Sequence, residues 1–143
     1  MIKKILIAID GSESALNAAK YGIQLAKHVH AALELVYIIR YSTGNIDGGI
    51  FPAEIETQEK KKAIQLINNI KREHRDIKIQ DFETIGQPAK EIVKAIQSWE
   101  ADLLIIGHHT HHFLEGLLTN SIEKKLLKHP KIPVLVIPEN FNF

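Results

Sequence analysis

The sequence predicts a three-layer α/β fold in which helices cover both faces of an open, parallel, five-stranded sheet. Three observations carry this expectation. Short apolar runs recur along the chain, segments with the hydrophobic period of a helix separate them, and turn-forming residues close the runs. Strands that alternate with helices pair in parallel through right-handed crossovers, which places the helices on the sheet faces. At 143 residues and 45% hydrophobic content the chain fills one core and is short for two, so residues 1–143 are read as a single domain.

The elements follow in order. Residues 2–9 are an apolar run ended by Asp10 and Gly11, the pattern of a strand buried on both faces. Ser12 or Ser14 then caps a helix whose buried stripe is Ala15, Ala18, Ala19, Ile23 and Ala26, ending between residues 28 and 30. Residues 33–39 are a second apolar run, and 41–52, with Ser, Thr, Asn and three glycines, read as a loop. From 53 to about 75, Ile55, Ala63, Leu66, Ile67 and Ile70 recur among many charges, as in a long surface helix. Ile77, Ile79, Phe82 and Ile85 alternate imperfectly, which suits a strand nearer the sheet edge. Pro88 opens a third helix with Ile92, Val93 and Ile96 on its buried side, and 103–106 form the fourth strand. Asn120 and Glu123 have the spacing of a capping box for a fourth helix, with Lys124, Lys125, Lys128 and His129 in its later turns. Residues 133–137, bounded by Pro133 and Pro138, are the fifth strand.

Composition excludes several classes. With no cysteine there is no disulfide framework, thiolate metal site or thiol catalyst. A net charge of +1, from 18 basic and 17 acidic residues, supplies no bulk attraction to nucleic acid or anionic membrane. No apolar run approaches the roughly 18 residues of a membrane span. The opening MIKKILIAIDG turns polar at Asp10 before a signal-peptide core forms, so the chain is expected in the cytoplasm.

The segment richest in chemistry is 107–121, GHHTHHFLEGLLTNS, which follows an apolar strand and precedes a helix. Open parallel sheets bind ligands beyond the carboxyl ends of their strands, where helix amino termini favour anions. Four imidazoles, His108, His109, His111 and His112, with Glu115 close behind, offer transition-metal donors. Adjacent loop side chains often diverge, and such a tract also chelates adventitiously, so no metal site is assigned. Protonated imidazoles attracting phosphate are a further reading of the same tract.

Three blocks, AIDGSESALNAAKYGIQLAK, IGQPAKEIVKAIQSWEADLLIIGHHT and NSIEKKLLKHPKIPVLVIP, together resemble a universal stress protein over nearly the whole chain. The resemblance implies an adenine nucleotide alpha hydrolase-like sheet of strand order 3-2-1-4-5. It also implies a homodimer paired through the last strand at Val134, Leu135 and Val136, and a role in survival of stress. Many members bind ATP through Gly, two residues, Gly, nine residues, Gly, then Ser or Thr. Here Gly107 and Ser121 match that pattern, whereas Thr110 and Asn120 replace its second and third glycines. Asn tolerates left-handed backbone, and the β-branched Thr resists it, so Thr110 is the greater departure. The opening Gly107-His108-His109 also resembles the branch of the family lacking the nucleotide signature.

The carry-over makes Ala8, Ile9, Asp10, Ile38, Ile106, Gly107, Thr110, Asn120, Ser121 and Ile122 the candidate nucleotide-binding residues, with Asp10 near the adenine and ribose. Asp10 would accept a hydrogen bond from a sugar hydroxyl; as a plain structural residue it starts the Asp-Gly turn and caps the helix. The two readings are compatible. Ile38 is an apolar adenine wall on the first reading and core on the second. Ser121 has no base partner identifiable in sequence, which argues against a hydrolase. A response-regulator receiver fails as well: Asp10 stands alone among residues 2–12, the third strand ends Glu83-Thr84-Ile85-Gly86, and Val136-Ile137-Pro138 holds no lysine. Trp99, Phe141 and Phe143 are isolated aromatics suited to packing or a terminal clasp.

The expected protein is thus a non-enzymatic, dimeric stress-response binding protein with a degenerate nucleotide loop and weak or lost ATP affinity. The alternative is a competent ATP or AMP binder with slow hydrolysis. The candidate cofactor is ATP or another adenine nucleotide, with Mg²⁺, and otherwise none; the protein partners are unknown.

Overall fold

The computed structural model describes residues 1–40, 53–108 and 131–141. In chain order these form β1 (Lys4–Ile9), α1 (Glu13–Val29), β2 (Ala32–Arg40), α2 (Ala53–Glu73), β3 (Ile79–Gly86), α3 (Pro88–Trp99), β4 (Leu103–Gly107) and β5 (Val134–Ile137). All pairings are parallel and the strand order is β3-β2-β1-β4-β5, as the resemblance implied. The loop expected at 41–52 and the fourth helix capped by Asn120 lie outside the described residues.

The two-residue period of the strands divides the core. Ile5, Ile7 and Ile9 of β1 face α1 and α2 together with Leu33, Leu35 and Tyr37 of β2. Leu6, Ala8, Val36, Ile38, Leu104 and Ile106 face α3, against Ala89, Ile92 and Ala95. β1 is central, in register with β2 at Ile5↔Leu33 and with β4 at Ile5↔Leu103, which explains why its last five residues are all buried. Each fully buried Ile or Leu contributes about 1.5–3 kcal/mol, so this strand is a large part of the driving force.

Inside the helices two expected stripe residues differ, since Ile55 of α2 is exposed and α3 buries Ala89 and Ala95 with Ile92 while Val93 is only partly buried; the other differences fall at element ends. Ser12 is the cap of α1, its Oγ accepting Ala15 N–H at 3.3 Å, while Ser14 is buried inside the first turn. α1 stops at His30, whose left-handed backbone sends its N–H back to the Ala26 carbonyl. β3 begins at Ile79 because Ile77 is held in a turn, its N–H donating to the His74 carbonyl. β3 is an edge strand, as its weak alternation suggested. Phe141 stands edge-on to Tyr21 of α1, with ring centroids 5.5 Å apart, and Asn17 donates to the Glu139 carbonyl. The expected terminal clasp therefore exists through Phe141; Phe143 lies outside the described residues.

Candidate functional site

β1 connects outward through α1 to β2, whereas β4 lies on the opposite side of β1, beneath a chain that has crossed by way of α3. The connections therefore diverge between β1 and β4, and open α/β sheets hold ligands in the crevice at such a point. Asp10 follows β1 there, and His108 follows β4.

The β1 side of the crevice is a tight turn. Asp10 Oδ1 accepts the Ser12 N–H at 3.0 Å, and the Asp10 carbonyl accepts the Tyr37 hydroxyl at 3.3 Å. Gly11 has φ +84°, a left-handed conformation that side chains disfavour, and a Cβ added there would lie 2.8 Å from Tyr37 Oη. The turn residue of the sequence reading is therefore in place, while Ser12 rather than Asp10 caps the helix. Among the described residues Ser12 N–H is the one donor that the Asp10 carboxylate receives, and its second oxygen meets no described donor.

The β4 side depends on Gly107 for a packing reason that the sequence reading did not include. A Cβ at Gly107 would approach the Ser14 carbonyl carbon and oxygen at 2.6 Å and Ala15 N at 2.8 Å. The glycine lets the first turn of α1 lie directly on the end of β4. That contact alone requires glycine here, whether or not a phosphate approaches.

Ala8, Ile9, Ile38 and Ile106 reach the same end of the sheet, but their side chains are core, none more than 4% exposed. Ile38 packs on the α3 side rather than standing as an open apolar wall, so these residues offer a ligand strand-end backbone rather than side chain. Thr110, Asn120, Ser121 and Ile122 lie outside the described residues, as do His109, His111, His112 and Glu115. Among the described residues no group of three or more His, Asp or Glu side chains is placed to hold a metal ion.

Beside the turn, a cavity of about 320 Å³ is lined by Ser12, Glu13, Ser14, Glu139 and Asn140. Two carboxylates in that lining oppose a bare anion, although α1 begins there. Tyr37 is the residue that sequence reading passed over. It is 7% exposed, and burial, then Asp10, then Glu59 raise its phenol above the ordinary range, so it remains a donor at physiological pH. A buried tyrosine needs a partner for its hydroxyl, which is the signal that its place in a strand of apolar residues carried.

A five-stranded parallel sheet of this order, with its crevice at the divergence of β1 and β4, places the protein in the adenine nucleotide alpha hydrolase-like class of α/β folds. The family model described as "Universal stress protein family" matches residues 1–138, and the chain belongs to that family. A universal stress protein of Methanocaldococcus jannaschii is 31% identical over 141 residues, covering 96% of this chain and 82% of the relative. The solved structure of a second protein from that archaeon, also a universal stress protein, is 28% identical with a TM-score of 0.73, covering 99% of both chains. A universal stress protein family member from Arabidopsis thaliana with AMP bound has a TM-score of 0.63 at 17% identity, covering 96% of this chain and 92% of that one, a likeness of fold.

Proposed function

We propose that this universal stress protein is a non-enzymatic, cytoplasmic regulatory or protective binding protein that takes adenine nucleotide weakly in the β1–β4 crevice. The observation that carries the reading is the Asp10 turn: a carboxylate fixed at the fold's ligand position with acceptor capacity left for a ribose hydroxyl. An AMP-bound relative of the same fold supports the ligand class. Weak affinity follows from Thr110 and Asn120 in place of loop glycines, and from Glu13 and Glu139 beside the start of α1. Mg²⁺ fits as a companion of the triphosphate, since it would offset those carboxylates without a protein cage of its own. The competent ATP or AMP binder, with slow hydrolysis, is the alternative.

Calorimetric titration of nucleotide-stripped protein with Mg-ATP tests the reading. The expected Kd is about 0.1–1 mM, weakened about tenfold in Asp10→Ala. Low-micromolar affinity would favour the competent alternative, and no heat at several times that concentration would remove nucleotide from the function. Asp10→Ala is the suitable control because any side chain at Gly107 disturbs packing before it disturbs a ligand.

The same proposal includes a homodimer through β5. This strand lies at the sheet edge and leaves Val134, Leu135 and Val136 only partly buried, which supports pairing with a second copy. Val134→Lys or Val136→Lys is expected to give monomer by light scattering. A dimer that survives both substitutions places the contact elsewhere.

A further inference from the structure

We infer that Tyr37 is a positioning residue of the crevice: by holding the Asp10 carbonyl it sets the aim of the Asp10 carboxylate, and with it the preference for ligands carrying a ribose 2′-hydroxyl. The inference rests on the nucleotide reading above and adds the residue that controls its selectivity.

Tyr37 projects from the same face of β2 as Leu33 and Leu35 and is in register with Ile9, the last residue of β1. Its ring is therefore anchored in the core while its hydroxyl reaches the first residue beyond the neighbouring strand. The hydrogen bond to the Asp10 carbonyl fixes the peptide that leads into Gly11, and Gly11 supplies the left-handed φ that the turn needs. The Asp10 carboxylate is then tied from the other side by Ser12 N–H. Two hydrogen bonds, one on the main chain and one on the side chain, leave Asp10 little rotational freedom. A carboxylate held in this way discriminates a hydroxyl from a hydrogen because its lone pairs need not reorganise to meet the donor.

Tyr37 itself is not expected to touch the nucleotide. Its hydroxyl is occupied by the main chain and it is almost wholly buried. The phenol's raised pKa, from burial and from the carboxylates of Asp10 and Glu59, keeps the bond in place across the physiological range.

Tyr37→Phe removes the hydroxyl and keeps the ring. Mg-ATP and its 2′-deoxy counterpart are titrated into wild-type protein, Tyr37→Phe, Asp10→Ala and the double variant. Wild-type protein is expected to prefer ATP by about tenfold, the scale of one hydrogen bond to a charged group. Tyr37→Phe should lose most of that preference while its affinity for the deoxynucleotide stays within about twofold. In the Asp10→Ala background the Tyr37 change should have no further effect on the ratio. A general structural role would instead weaken both ligands alike. Equal weakening, or a wild-type ratio that persists in Tyr37→Phe, overturns the inference alone. Wild-type protein that binds neither nucleotide, or both equally, overturns the ribose reading at Asp10 and the inference with it.

Discussion

The two ends of the sheet each carry an aspartate in contact with main-chain amides, and the two are used differently. At the amino end Asp102 accepts both Lys3 N–H and Lys4 N–H through one oxygen, at 2.8 and 2.9 Å. Lys4 donates its ammonium to the Trp99 carbonyl and lies 5.7 Å from the centre of that ring, and the Trp99 indole donates to Gln80. Polar groups there tie β1, β3 and the end of α3 to one another. At the carboxyl end Asp10 accepts, among the described residues, the amide of Ser12 alone, and Tyr37 secures the main chain rather than the carboxylate. One end is a clasp, and the other keeps an acceptor in reserve. A carboxylate near a strand end is therefore read by the donors it already holds.

The largest expected effect breaks the carboxyl end. Gly107→Ala should destabilise by about 2–3 kcal/mol, because the new methyl meets α1 backbone that cannot turn aside. Thermal melting should fall by about 10 °C. A variant that melts with wild type would mean that α1 and β4 are further apart than described.

Next come the paired substitutions at the two aspartates. Asp102→Ala should lower the melting temperature and leave Mg-ATP titration unchanged, whereas Asp10→Ala should weaken Mg-ATP affinity about tenfold with a smaller thermal cost. An Asp102 variant that loses nucleotide affinity would erase the contrast between the ends. The Asp102 clasp also predicts a pH dependence. Its carboxyl is held below the ordinary range by Lys3 N–H, then by Lys4 N–H. A depressed folded pKa contributes stability above the unfolded pKa and loses it as pH falls through the folded value. The thermal gap between wild type and Asp102→Ala should therefore narrow as the pH drops below the ordinary carboxylate range.

The smallest effect sharpens the amino end. Glu34 on β2 has a buried Oε2 without a hydrogen-bond partner among the described residues, and desolvation, then Asp81, raise its pKa against the pull of Lys4. The folded state thus holds this proton more tightly, so stability falls as pH rises from the ordinary carboxylate range through the raised value. Glu34→Gln should gain about 0.5 kcal/mol at neutral pH, with the gain fading in acid. A melting curve indifferent to the change at both pH values would show that solvent already screens Glu34.

Much of the fold was legible because it rests on local rules. The apolar run before Asp10 announced a strand with both faces buried, and the Ala and Ile spacing after Ser12 announced the face of α1. The broken alternation around Phe82 gave the edge position of β3. The candidate site was legible in part. Asp10 was identified together with its turn, and Gly107 was identified for a ligand when its visible requirement is helix packing. Ile38 was ambiguous until its neighbours were known, since strand period gives the face of a residue and says nothing of what covers that face.

What the sequence determined by itself was the class of fold, the order of its elements and the aspartate after the first strand, because periodicity and turn chemistry act between residues close along the chain. The tertiary structure decided the meaning of the individual residues. Tyr37 meets Asp10 across 27 positions, and Gly107 meets Ser14 across a still longer separation. Those contacts are created by the register of parallel strands and the seating of α1, which no local spacing encodes.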